Sequence, residues 1–115
     1  MINCILFGWD HPIPGREQIS AQHFQDFNGY LGGLQKSGTI TSYDAVFLNH
    51  HGGNLNGFFL IKGEPAKLTE LMASEEWTDH MLRASYHLQS PGNVGGITGD
   101  LIPARFAKWQ SMRPK

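Results

Sequence analysis

The sequence predicts an α+β domain: a four-stranded antiparallel sheet with helices on one face. Three observations predict it. Ile2–Trp9 is apolar on both alternating sides. Two stretches rich in β-branched and aromatic residues meet across the turn His50-His51-Gly52-Gly53-Asn54. Segments with helical spacing lie on either side of that hairpin, supplying the crossovers such a sheet needs.

The chain has 115 residues, enough for a single domain, 1–115, with a modest core. Hydrophobic residues make up 40% and charged residues 17%, which excludes a disordered chain. A formal net charge of −1 and the lack of like-charge runs speak against a nucleic-acid surface or an anionic-membrane patch. No stretch approaches the ~20 apolar residues of a membrane-spanning helix, and no secretory leader is recognisable. The single cysteine, Cys4, lies within the first apolar strand and reads as a small core residue. A reducing cytoplasmic setting suits it.

In order, Ile2–Trp9 is a strand with Asn3, Ile5, Phe7 and Trp9 on one side and Cys4, Leu6 and Gly8 on the other. Asp10–Gly15 is a loop, broken by two prolines and a glycine. Glu17–Lys36 is an amphipathic helix whose stripe holds Ile19, His23, Phe27, Tyr30 and Leu34. Gly29, Gly32 and Gly33 would let its last turns approach a neighbour closely, and Ser37-Gly38 ends it. Thr39–Asn49 and Leu55–Lys62 are the second and third strands.

Pro65 opens the next helix, with Leu68, Leu71 and Met72 inward. Ser74 caps another helical piece, where Trp77, Met81, Leu82 and Tyr86 face inward and Asp79 pairs with Arg83. Asn93–Thr98 is a short fourth strand weakened by Gly95 and Gly96. A last helix follows, with Ile102, Phe106, Trp109 and Met112 along one edge.

This order is the ferredoxin-like βαββαβ arrangement with an extra C-terminal helix. Over its whole length, in element order, the chain resembles the dimeric α+β barrel superfamily, which includes antibiotic-biosynthesis monooxygenases. The resemblance rests on Ile2–Trp9, the Asn49–Leu55 hairpin, the Lys62–Leu71 strand-to-helix join and Gly92–Asp100. It implies a homodimer whose two sheets face each other around a ligand cavity. The residues argue for a partner too: the first and third strands read as buried on both sides, and the helices suffice for one.

The function expected is binding of an apolar or aromatic small molecule in that inter-sheet pocket, with walls from Phe7 and Trp9 and polar groups from Asn3, Asp44 and His50. An enzymatic version would carry out cofactor-independent oxygenation or proton transfer, with Asp44 or His11 as the base. Asp44 stands mid-strand among apolar neighbours, where desolvation would raise its pKa. A third version has a filled dimer core and no pocket.

Neither a metal nor a cofactor is called for. His50-His51 lacks the spacing of a zinc site. A site combining it with Trp9-Asp10-His11 is set aside, because taking the first and third strands as parallel neighbours puts the two corners at opposite ends of the subunit. His23, His80 and His87 read as ordinary helical histidines. Gly92–Gly99 lacks phosphate-loop spacing. Asn56–Lys62 lacks the basic residue and the alternating aromatics of an RNA-recognition strand.

Overall fold

The computed structural model describes residues 1–114. Four strands, β1 (Cys4–Trp9), β2 (Ser42–Phe47), β3 (Gly57–Lys62) and β4 (Gly92–Gly96), form one sheet in the order β2-β3-β1-β4. Helix α1 (Glu17–Lys36) crosses from β1 to β2. The broken pair α2 (Pro65–Met72) and α3 (Glu75–Ser85) crosses from β3 to β4. A 3₁₀ turn, Gly99–Leu101, leads into α4 (Ile102–Ser111).

The helix limits follow local chemistry. Pro65 occupies the first position of α2, where its missing N–H would be unpaired anyway. The Ser74 hydroxyl accepts the Trp77 amide at 3.3 Å and caps α3. Gly38, at φ +82°, takes the left-handed conformation just beyond α1. The second and third strands are shorter than Thr39–Asn49 and Leu55–Lys62. Thr39 and Ile40 still donate to the Leu34 carbonyl, so the chain stays tied to the end of α1.

Every strand pairing is antiparallel, including that of β1 with β3. Since β3 runs against both β1 and β2, those two strands run the same way and end at the same edge. This corrects the expectation that the Asp10-His11 and His50-His51 corners lie at opposite ends.

Alternation sorts the sheet residues. Ile5, Phe7, Phe59 and Ile61 are 0–3% exposed under the helices and meet Phe27, Leu31, Leu68, Leu71 and Trp77 in one core. Phe27 stands at its centre, with ring centroids 5.3 Å from Phe7, 5.1 Å from Phe59 and 5.7 Å from Trp77. In the middle of the opposite side, Asp44, Leu60, Leu6 and Val94 lie in register across the four strands. No helix covers that row. Val94 is exposed and Leu6 and Leu60 are half-buried by their own neighbours, while Cys4 and Gly8 on the same side of β1 are buried, Gly8 against the Leu55 side chain.

Helix α4 stands away from the core, with none of its residues buried and Phe106, Trp109 and Met112 exposed. The Cα radius of gyration is 16.0 Å, against about 13 Å for a compact domain of this size.

Four expected side-chain placements change. Leu82 and Tyr86 are exposed, at 59% and 73%, because the inward stripe of α3 runs through Trp77, Met81 and Ala84. Ile19 is likewise exposed at 52%. Arg83 pairs at 2.7 Å with Asp26 of α1 instead of with Asp79, tying two helices together. Of the three α1 glycines, only Gly32 makes a close approach: a Cβ there would lie 3.3 Å from the Tyr43 hydroxyl.

Candidate functional site

A cleft of about 400 Å³ opens between the first half of α1 and the helix side of the sheet. Phe7, Trp9 and Phe59 form its sheet wall, Phe24 and Phe47 flank it, and Ser20 and His87 stand on its polar side. Its aromatic lining suits an apolar or aromatic guest, while the few polar groups can orient one.

Trp9 reaches this position because its sheet neighbour is glycine. A Cβ on Gly57 would lie 2.7 Å from the indole, so the ring can lie flat there only while that position has no side chain. From there it packs against Phe7 and Phe59 at centroid distances of 5.6 and 5.8 Å.

His87 lies just past the end of α3 and is held from outside. The Ile13 amide donates to the His87 carbonyl at 2.8 Å, the Gln89 amide to the His11 carbonyl at 2.7 Å, and the Arg16 guanidinium to the Tyr86 carbonyl. Two prolines keep the 10–16 loop extended alongside the 86–89 segment, which is why two irregular segments can be zipped together.

Behind the cleft runs a continuous chain of side chains. Ser20 Oγ is 2.6 Å from His87 Nδ1, His87 Nε2 is 2.7 Å from His23 Nδ1, and His23 Nε2 is 3.1 Å from His80 Nδ1. His23 and His87 are each 2% exposed. Burial, then the Arg83 cation and the neighbouring His87 and His80 rings, push the His23 pKa down to about 4. Burial, followed by Arg83, lowers His80 and His87 as well. All three rings are therefore neutral at neutral pH, each with one donor and one acceptor nitrogen.

These histidines are the residues that sequence reasoning missed. His23 and His87 are buried, and His87 is not helical. A usable signal was present: His23 shares its inward stripe with Phe27 and Leu31, and a titratable group there needs polar partners.

The expected site residues divide among several places. Phe7 and Trp9 line the cleft. Asp44 lies on the opposite, helix-free side, exposed and opposite Leu60, so Phe7 and Trp9 cannot share a pocket with it. Asn3 exchanges two hydrogen bonds with the Thr98 backbone, at 2.9 and 2.8 Å, and pins the chain beyond β4 to β1.

His11 and His50 come together, contrary to the opposite-ends expectation, with ring centroids 6.2 Å apart. Asp10 stands 3.4 Å from His11 and accepts a hydrogen bond from the Asn56 amide. His51 turns into its own loop: its Nδ1 accepts the Gly53 amide at 3.2 Å, which leaves Nε2–H to donate to the Leu55 carbonyl at 2.7 Å. Among the described residues, no three His, Cys, Asp or Glu side chains converge as a metal ion requires, and no helix is long and apolar enough to cross a membrane.

Compared with known proteins, the chain matches no family model, no curated protein and no solved structure.

Proposed function

We propose that this chain is a ferredoxin-like subunit of a homodimer and binds an apolar or aromatic small molecule. The cleft beneath α1 is the binding site. The observation that carries this reading is the aromatic cleft itself, with Trp9 and Phe59 on one wall and Ser20 and His87 on another. Its volume falls within the ~300–1,000 Å³ of small-molecule sites, and its balance of many apolar and few polar groups is typical of them.

The dimer is supported by the opposite side of the sheet. Leu6, Val46, Phe58 and Leu60 there have no helix over them. Helix α4 extends outward with Phe106 and Trp109 bare. A second copy set sheet to sheet would cover both surfaces, and apolar patches of that kind mark interaction sites. The ligand site then lies on the helix side of each sheet, and the surface between the sheets serves assembly.

Titration with 2-naphthol by calorimetry tests the site. One molecule should bind per chain, and Ala21→Trp, which adds bulk at the edge of the cleft, should abolish binding. Binding that survives Ala21→Trp but is lost in Leu60→Glu would move the ligand to the space between the sheets. Sedimentation of the full chain tests the dimer, and a monomer at micromolar concentration would remove it.

A further inference from the structure

We propose that Ser20 is a nucleophile and that the cleft carries out acyl transfer on esters with an apolar or aromatic acyl group. This rests on the cleft being the ligand site and adds a reaction to it. A serine hydroxyl is a weak nucleophile until a positioned base takes its proton. Ser20 Oγ lies 2.6 Å from His87 Nδ1, within the range a general base requires. Both groups line the cleft beside Phe24 and Phe59, so an acyl group held by the aromatic walls presents its carbonyl to the hydroxyl. Ser20 is also in the first turn of α1, where the positive end of the helix dipole favours negative charge developing on its oxygen.

One polarity of the chain makes Ser20 the donor. In His87 and His23 alike, Nδ1 faces the serine end and Nε2 faces away. With each neutral ring protonated at Nε2, every link has one donor and one acceptor: Ser20 donates to His87, His87 to His23, and His23 to His80. The reverse polarity would have Ser20 donate to the His87 carbonyl 3.4 Å away, at the far edge of hydrogen-bonding distance. His23 is thus a positioning residue. It accepts the Nε2 proton of His87, holds the tautomer that leaves Nδ1 free, and steadies the imidazolium that forms, as the third member of a triad does.

The steps balance without a cofactor. Ser20 Oγ bonds to the ester carbonyl carbon as its proton passes to His87 Nδ1. The tetrahedral adduct collapses, the bond from carbon to the leaving oxygen breaks, and that oxygen takes the proton from His87. Water then adds to the acyl-serine with His87 again accepting the proton. Release of the carboxylic acid restores Ser20 with its proton.

Labelling with phenylmethanesulfonyl fluoride, read by intact mass and peptide mapping, tests this on the full chain. One adduct per chain on Ser20 is expected, with 2-naphthol protecting and Ser20→Ala unlabelled. His87→Gln should slow labelling by ~100-fold or more, the usual contribution of a general base. His23→Leu should slow it by about tenfold or more. His23→Asn, whose side-chain oxygen can replace Nδ1 as acceptor, should restore most of the rate, a rescue that a merely space-filling role would not give. The protein should also release p-nitrophenol from p-nitrophenyl butyrate, and Ser20→Ala with an unchanged circular dichroism spectrum should not. An unlabelled Ser20 in protein that still binds 2-naphthol would overturn the nucleophile and leave the binding site standing. Loss of naphthol binding as well would remove both.

Discussion

The two faces of the sheet are built by the same strands and end in different states. On the helix side, Ile5, Phe7, Phe59 and Ile61 are sealed under α1–α3. On the other, Leu6, Phe58 and Leu60 are half-buried with no helix over them, and Asp44 sits in the same row as Leu6 and Leu60. In each strand the residues that fill these two roles alternate and look alike in character. Composition therefore does not separate a core face from a face left without helices. What separates them is the supply of helices, which suffices for one side. The polar groups divide the same way. The helix side encloses a histidine chain in which every buried side-chain nitrogen and oxygen has a partner, while the carboxylate of Asp44 stays where water or a second subunit can reach it.

The contrast is sharpest at Phe27, packed against Phe7, Phe59 and Trp77. Phe27→Ala should cost about 3–5 kcal/mol, read from urea unfolding at neutral pH; a loss below ~1 kcal/mol would mean that the core is centred elsewhere.

The histidine chain gives the helix side an acid sensitivity. The His23 pKa is about 4 in the folded protein against an ordinary 6.5, so between those values the unfolded chain holds a proton that the folded chain does not. Stability is then complete above pH 6.5 and falls as the pH drops toward 4, by up to ~3 kcal/mol from this group alone. His80 and His87 shift in the same direction. Urea midpoints at pH 7.5 and 4.5 should converge in His23→Asn relative to the parent. Equal acid losses in the two proteins would break the link to His23.

On the open side, Leu60→Glu should weaken the proposed dimer by ~100-fold or more, the penalty for burying an unpaired charge, and should leave the circular dichroism spectrum intact. Concentration-dependent sedimentation reads this. An unchanged dimer would show that the two sheets do not meet there.

The smallest effect belongs to the surface tie between the helices. Arg83 and Asp26 are each 41% exposed, and Arg83→Ala should change stability by no more than ~1 kcal/mol. A larger loss in thermal unfolding would point to support of His80 and His23, which the same guanidinium influences.

Strand-and-helix order, the Glu17–Lys36 limits, the Pro65 start, the Ser74 cap and the two sides of β1 were legible in the sequence. Each depends on contacts within a few residues, and periodicity, capping and turn chemistry report such contacts directly. The antiparallel sheet was legible from the hairpin and the helical crossovers, but the direction of β1 relative to β3 was not, because a hydrophobic run has the same alternation read either way. The antiparallel pairing of β1 with β3 follows only from the route the crossovers take, and it brings His11 to His50. Nor was the cleft legible: Ser20, His23, His80 and His87 come from the start of α1, from α3 and from a loop, and the closest pairs among them lie 57 to 67 positions apart. By itself the sequence determined which side chains face the same way along each element. Only the packing of α1 against α3 and the sheet decided which of them meet, since a hydrogen bond between distant residues depends on where the core places their backbones.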